Sequence, residues 1–177
     1  GIFGTNSGAA NNFFIVQFSS DNTMFIQGYA TSSQTTRLHT TRVFADPTAW
    51  YHIVVAVDTT QATDSNRLKL YINGELYTDW QSSGSVYPNV QNLSTAMNRA
   101  NKPMMIGAYN SGSTSTLDGN LADVHFIDGQ QKQATDFAST YNDVWTPQTY
   151  SGTYGTNGFN LKFDDTSNLA KDSSQNY

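Results

Sequence analysis

A chain of 177 residues is long enough for one core of good size, and a β-rich chain of this length is read as one main domain. It is 37% hydrophobic and only 13% charged, with Ser, Thr, Asn, Gln and Gly filling the surface, which suits an extracellular or particle-borne protein better than a cytosolic enzyme. A net charge of −5 without a basic cluster argues against nucleic acid, no run reaches the roughly 18 apolar residues of a membrane span, and the lack of cysteine removes disulfides, thiol catalysis and Cys-ligated zinc.

From Gly1 to Asn12 the chain is Gly, Ser, Asn and Thr around one apolar pair, which predicts a loop or an entering edge segment. Phe13–Phe18 predicts a strand, turned at Ser19-Ser20-Asp21-Asn22, with Met24–Tyr29 as its hairpin partner. Arg37–Thr41 with Val43-Phe44 predicts a weaker strand, ended at Asp46-Pro47, where proline removes a ladder donor. Trp50–Asp58 is rich in β-branched and aromatic residues, and Arg67–Ile72 and Glu75–Tyr77 follow, so three consecutive strands are predicted. Asn73-Gly74 supplies the positive φ angles of a type I′ hairpin, setting Ile72 opposite Glu75 and Leu70 opposite Tyr77. Trp50 is expected to be a buried anchor of the sheet or its edge, and His52 a half-buried sheet residue.

Trp80 to Lys102 is a long polar connection in which Leu93–Ala100 has room for one or two helical turns. Pro103–Tyr109 predicts the next strand, and Asn110–Thr116 a loop. In Ala122–Ile127, alternation puts Ala122, Val124 and Phe126 on the core face and Asp123 and His125 on the other, His125 being exposed or helping to cover the sheet. Ala134, Phe137, Ala138 and Tyr141 recur at helical spacing and predict a short amphipathic helix within 130–141 that caps one end of the fold. Phe159–Asp164 alternates as a strand with Phe159, Leu161 and Phe163 inward. The domain reading is a sandwich over 1–145 and an extended tail over 146–177, with a strand near 159–164 that reads as the start of a following module in a longer protein.

Trp50-Tyr51-His52-Ile53-Val54-Val55-Ala56-Val57-Asp58, then Leu70-Tyr71-Ile72-Asn73-Gly74, resembles the signature of laminin-G-like domains in the concanavalin-A-like lectin and glucanase superfamily. Leu117–Ile127 is similar to the late Gly-x-hydrophobic-x-Asp-hydrophobic strand of the same family. Asp46–His52, Asp58–Thr63, Val124–Gln130 and Gly152–Phe159 resemble, more narrowly, laminin-G-like virion proteins of marine tailed bacteriophages. The resemblance implies an all-β fold: an antiparallel β-sandwich of jelly-roll, concanavalin-A-like type with one or two short helices. It also implies a structural or adhesive role at the virion surface, with a host-surface glycan and other virion proteins as partners, and a homo-oligomer.

A retaining glycosidase needs two carboxylates about 5 Å apart. The sole glutamate, Glu75, sits beside a turn, and the pairs Asp164/Asp165 and Asp118/Asp123 fall on opposite strand faces, so no catalytic residue is assigned. His39, His52 and His125 form no zinc-ligand spacing. Calcium is the cofactor the resemblance admits, with Asp58, Asp64, Asn66, Asn110 and Asp118 as loop ligands, although such residues also form turns. For glycan, Trp80, Tyr87, Tyr109 and Asn110 join rings to a planar amide at loops, and Tyr rings at the edge of a core are the competing reading. Trp50, His52, Asn73 and Gly74 are assigned structural roles.

Overall fold

The computed structural model describes residues 1–6, 12–100, 102–109 and 115–174. Among them the strands are β1 (Phe3–Asn6), β2 (Phe13–Phe18), β3 (Thr23–Ala30), β4 (Ser33–Val43), β5 (Ile53–Val57), β6 (Leu68–Ile72), β7 (Glu75–Tyr77), β8 (Met104–Ile106), β9 (Val124–Phe126), β10 (Ala138–Tyr141), β11 (Val144–Pro147) and β12 (Phe159–Leu161). One antiparallel sheet runs in the order β4-β3-β2-β1-β8. The opposing layer holds β5-β6-β7 and the pair β12-β9, and β10-β11 is a separate two-stranded ribbon.

Period-two alternation builds the core between the layers. Phe14, Val16, Met24, Ile26 and Leu38 from the first sheet meet Leu68, Leu70 and Ile72 from β6, with Ile53, Val55 and Val57 of β5 packed beside them. Met24, Ile26, Leu38 and Leu70 are wholly buried, each such side chain stabilising the fold by about 1.5–3 kcal/mol. Phe3 on β1 stacks at 6.3 Å on Phe126 of β9, which stacks at 5.5 Å on Phe159 of β12, so the β9-β12 pair covers the β1 end of the first sheet. Val124 and Phe126 therefore face inward, as alternation predicts, and His125 lies on the outer face.

The Asn73-Gly74 hairpin has the predicted register, Ile72↔Glu75 and Leu70↔Tyr77, with φ of 50° and 90° at the two turn residues. Asn73 also receives the start of β5: its Oδ1 accepts the His52 amide at 2.8 Å, and its own amide donates to the His52 carbonyl at 2.8 Å.

Several expectations are corrected. Trp50 is 66% exposed, because β5 begins only at Ile53 and the preceding loop turns Tyr51, not Trp50, onto Phe44 at 5.0 Å. The opening segment carries β1, an interior strand between β2 and β8, since ladder pairing on both sides outweighs a Gly/Thr-rich composition. The strand taken as weak is an eleven-residue β4, in which Thr36, Leu38 and Thr40 bury one face. Leu93–Ala100 makes turns rather than helix, with Asn92 and Asn98 in left-handed conformations that break any helical run. Within 130–141 there is only a 3-10 turn, Ala134–Asp136, followed by β10. Phe137 and Ala138 are buried there while Tyr141 is 69% exposed, so the apolar spacing marks a turn entering a strand. A one-turn helix, α1 (Asp64–Arg67), occupies the loop before β6. Phe163 leaves strand geometry at φ 58°, so inward alternation in β12 ends at Leu161.

Candidate functional site

The outer face of the β5/β9/β12 layer carries Val54, His125 and Asn160, and the chain after Phe126 folds back to cover it. Phe137, Tyr150 and Tyr154 form a second buried cluster, packed against Val54 and Ile127. The Gly- and Thr-rich stretch before β12 explains how Tyr154 arrives there. Gly155 sits at φ 78°, and a Cβ on it would fall 2.3 Å from the carbonyl oxygen of Asp128, so only glycine lets the two backbones approach. The Asp128 amide donates to the Tyr154 carbonyl at 2.8 Å, and its carboxylate accepts from Asn98 Nδ2 and the Asn157 amide.

His125 is ringed by Phe137 at 5.1 Å, Tyr150 at 6.2 Å and Tyr154 at 5.9 Å between ring centroids. Tyr154 Oη lies 2.8 Å from His125 Nδ1, and Asp123 Oδ2 lies 3.2 Å from His125 Nε2. Burial, with the nearby Asp123 charge adding to it, pushes the Tyr154 phenol up to about 12. The Asp123 carboxylate can only accept, which puts a proton on Nε2, and in the neutral imidazole Nδ1 then accepts from the Tyr154 phenol. Asn160 Nδ2 donates to Asp123 Oδ1 at 2.9 Å and lies 3.2 and 3.4 Å from His125 Nδ1 and Nε2. Burial pushes the Asp123 carboxyl up, but the Asn160 amide, His125 and Lys162 together outweigh it and hold it below the ordinary carboxylate range.

Beside this network lies a cleft of about 630 Å³. One wall is Pro147–Gly152, the floor is Asp123, His125, Tyr154 and Asn160, and the far side carries Lys162, Asp164, Ser173 and Ser174. Its size falls within the range of about 300–1,000 Å³ typical of small-molecule sites, and its lining is hydroxyls, amides and carboxylates beside tyrosine rings. Such walls hydrogen-bond a polyhydroxylated ligand.

The structure separates the residues assigned to glycan from the sequence. Trp80 Nε1 donates to Tyr87 Oη at 2.7 Å, and both rings pack against the main core, the role of core-edge aromatics. Trp80 bridges Thr40 at the outer edge of β4, whereas Tyr109 lies over Gly4 of β1, where a Cβ on Gly4 would fall 2.4 Å from the Tyr109 Cα, with β3 and β2 between β4 and β1. Asn110 lies outside the described residues. Of the calcium candidates, Asp58 accepts from Thr60 and Gln61, which hold its carboxyl low, and Asp64 accepts from the Ser65 amide, both acting as turn formers. The Asn66 carbonyl accepts from Gln131, and Asp118 stands exposed on the loop after β8. Among the described residues no three His, Asp or Glu side chains converge as a metal site.

His52 acquires a partner that the sequence did not disclose. Trp145 Nε1 donates to His52 Nδ1 at 3.0 Å, and the indole lies across Gly74, where a Cβ would come within 2.8 Å of the ring. The cleft went unread because its parts lie far apart in the chain. The legible signal was His125 on the outer face of a strand with too much aromatic sequence downstream to leave it uncovered.

A family model for laminin G-like domains, described as the concanavalin A-like lectin/glucanases superfamily, matches residues 1–135. Comparison with curated proteins and with solved structures gives no match. The matched span supplies Asp123 and His125, and the rest of the cleft comes from residues beyond it.

Proposed function

The chain belongs to the concanavalin A-like lectin/glucanases superfamily, and from that premise we propose that it is a non-enzymatic adhesive module of a tailed-phage particle that binds a host-surface glycan. Fold alone does not assign function. The observation that carries the reading is the cleft beside His125, with hydrogen-bonding side chains on every wall and tyrosine rings on one wall and the floor. Asp164 and Gln148 are the exposed groups that meet sugar hydroxyls, and Tyr150 on the wall and Tyr154 on the floor give the cleft its apolar faces. The resemblance to virion proteins supports the particle surface as the location. The exposed side chains of Trp50, Tyr141 and Val144 support contacts with neighbouring virion proteins or further copies of the chain.

A glycan array probed with the wild-type chain, Gln148→Ala and Asp164→Ala tests the proposal. Binding to a defined glycan class, weakened in both variants without release of reducing ends, is the expected result. Binding to no glycan would favour a module that makes only protein contacts, and turnover of a polysaccharide would make it an enzyme.

A further inference from the structure

The wall of the cleft is a continuation of β11: Trp145 lies within that strand and Pro147, its last residue, already lines the cleft. Among the described residues the β10-β11 ribbon has no ladder partner beyond its own two strands. Ala138 anchors the β10 end by burial, and Trp145 ties β11 to the body by lying over Gly74 and donating its indole N–H to His52 Nδ1. That bond exists only while Nδ1 carries no proton. From this geometry we propose that the Trp145–His52 contact is an acid-released latch on the strand that leads into the cleft wall: it holds Val144–Pro147 against the body when His52 is neutral and frees that strand when His52 is protonated, while Tyr150 and Tyr154 stay in their buried cluster.

A proton on Nδ1 sets donor against donor at 3.0 Å and places a cation in a half-buried site. The charged groups that act on His52 are His125 and Asp123, both at β9. The ribbon presents Trp145, and the β6–β7 turn presents Asn73 and Gly74, none of which titrates. Burial first, and then His125, lower the His52 pKa below its ordinary 6.5, while Asp123 pulls the other way. The open latch therefore binds the proton more tightly than the closed one. Closure is complete above 6.5 and is lost as the pH falls below that value toward the lowered pKa of the closed form.

The inference rests on the proposed glycan reading only in calling the cleft a binding site, so its test contains no glycan. Proton–nitrogen NMR resolves the indole N–H of each tryptophan, and Trp145→Phe assigns the signal. Between pH 7.5 and 5 the Trp145 signal should titrate together with the His52 ring, at a midpoint below 6.5. Amide exchange over residues 144–146, corrected for its intrinsic pH dependence, should rise severalfold, with residues 150–154 unchanged. His52→Gln supplies an acceptor oxygen that does not titrate, and should keep the segment protected at pH 5. An unmoved Trp145 signal, a midpoint different from that of the His52 ring, or the same acid response in His52→Gln would overturn the latch.

Discussion

Replacing Gly74 with alanine tests the hairpin and the ribbon together. Gly74 has φ 90°, where an L side chain costs about 1–2 kcal/mol. The new Cβ would lie 2.8–2.9 Å from three carbons of the Trp145 ring, well inside the 3.5–4.0 Å or so of comfortable carbon contact, so the indole must move. Moving it lengthens the 3.0 Å bond to His52, a further loss of about 1 kcal/mol. The sum is about 2–3 kcal/mol, or a fall in melting midpoint of about 4–12 °C for a chain of this size. Thermal unfolding of Gly74→Ala should be compared with the same change in a Trp145→Ala background, where only the backbone cost remains and the loss should shrink to about 1–2 kcal/mol. Equal losses in the two backgrounds would show that Trp145 does not lie over the turn.

Trp50→Ala should change stability by no more than about 0.5 kcal/mol, because the side chain is 66% exposed; a loss of several kcal/mol in urea unfolding would contradict that placement. Arg67 is 7% exposed and donates to the carbonyls of Gln61, Ala62 and Pro88 at 2.7, 2.8 and 2.8 Å. Arg67→Met strands all three acceptors and should cost about 3 kcal/mol or more, whereas a near-neutral result would mean that water replaces the guanidinium freely. Hydrogen bonds from the Ser167 hydroxyl and amide, and then from Lys171, hold the Asp165 carboxyl down to about 2. Its contribution is present above the ordinary 3.8 and is lost as the pH falls toward 2, and carbon-detected NMR should place the midpoint there and find it raised in Ser167→Ala.

Local chemistry was the part of the fold that could be read in the chain. Asn73-Gly74 needs positive φ whatever surrounds it, and the alternation of Val124, His125 and Phe126 fixes their faces once a strand is granted. Where two patterns overlap, context decided. Phe137 and Ala138 at helical spacing satisfy a buried turn and strand start as well as a helix, and burial against Tyr150 selects the former. Trp50 was misplaced because propensity does not say where a strand begins, and two residues, Tyr51 and His52, separate it from Ile53. The cleft depends on contacts such as Asp123 with Asn160 and Tyr154 with His125, which join β9 to segments 29–37 residues later, and no local pattern encodes them. Trp80 and Tyr87 were attractive as sugar platforms for the same reason they serve the core edge: an apolar ring with a polar handle suits both.

The claim that the cleft beside His125 binds glycan is tested most directly by amide NMR during titration with a glycan selected on the array. Shifts should saturate together and concentrate at Gln148, Tyr150, Asn160, Lys162 and Asp164, with Trp80 and Tyr87 unmoved and the glycan intact. Saturable shifts centred on Trp80 and Tyr87 with the cleft silent, or cleavage of the glycan, would contradict it.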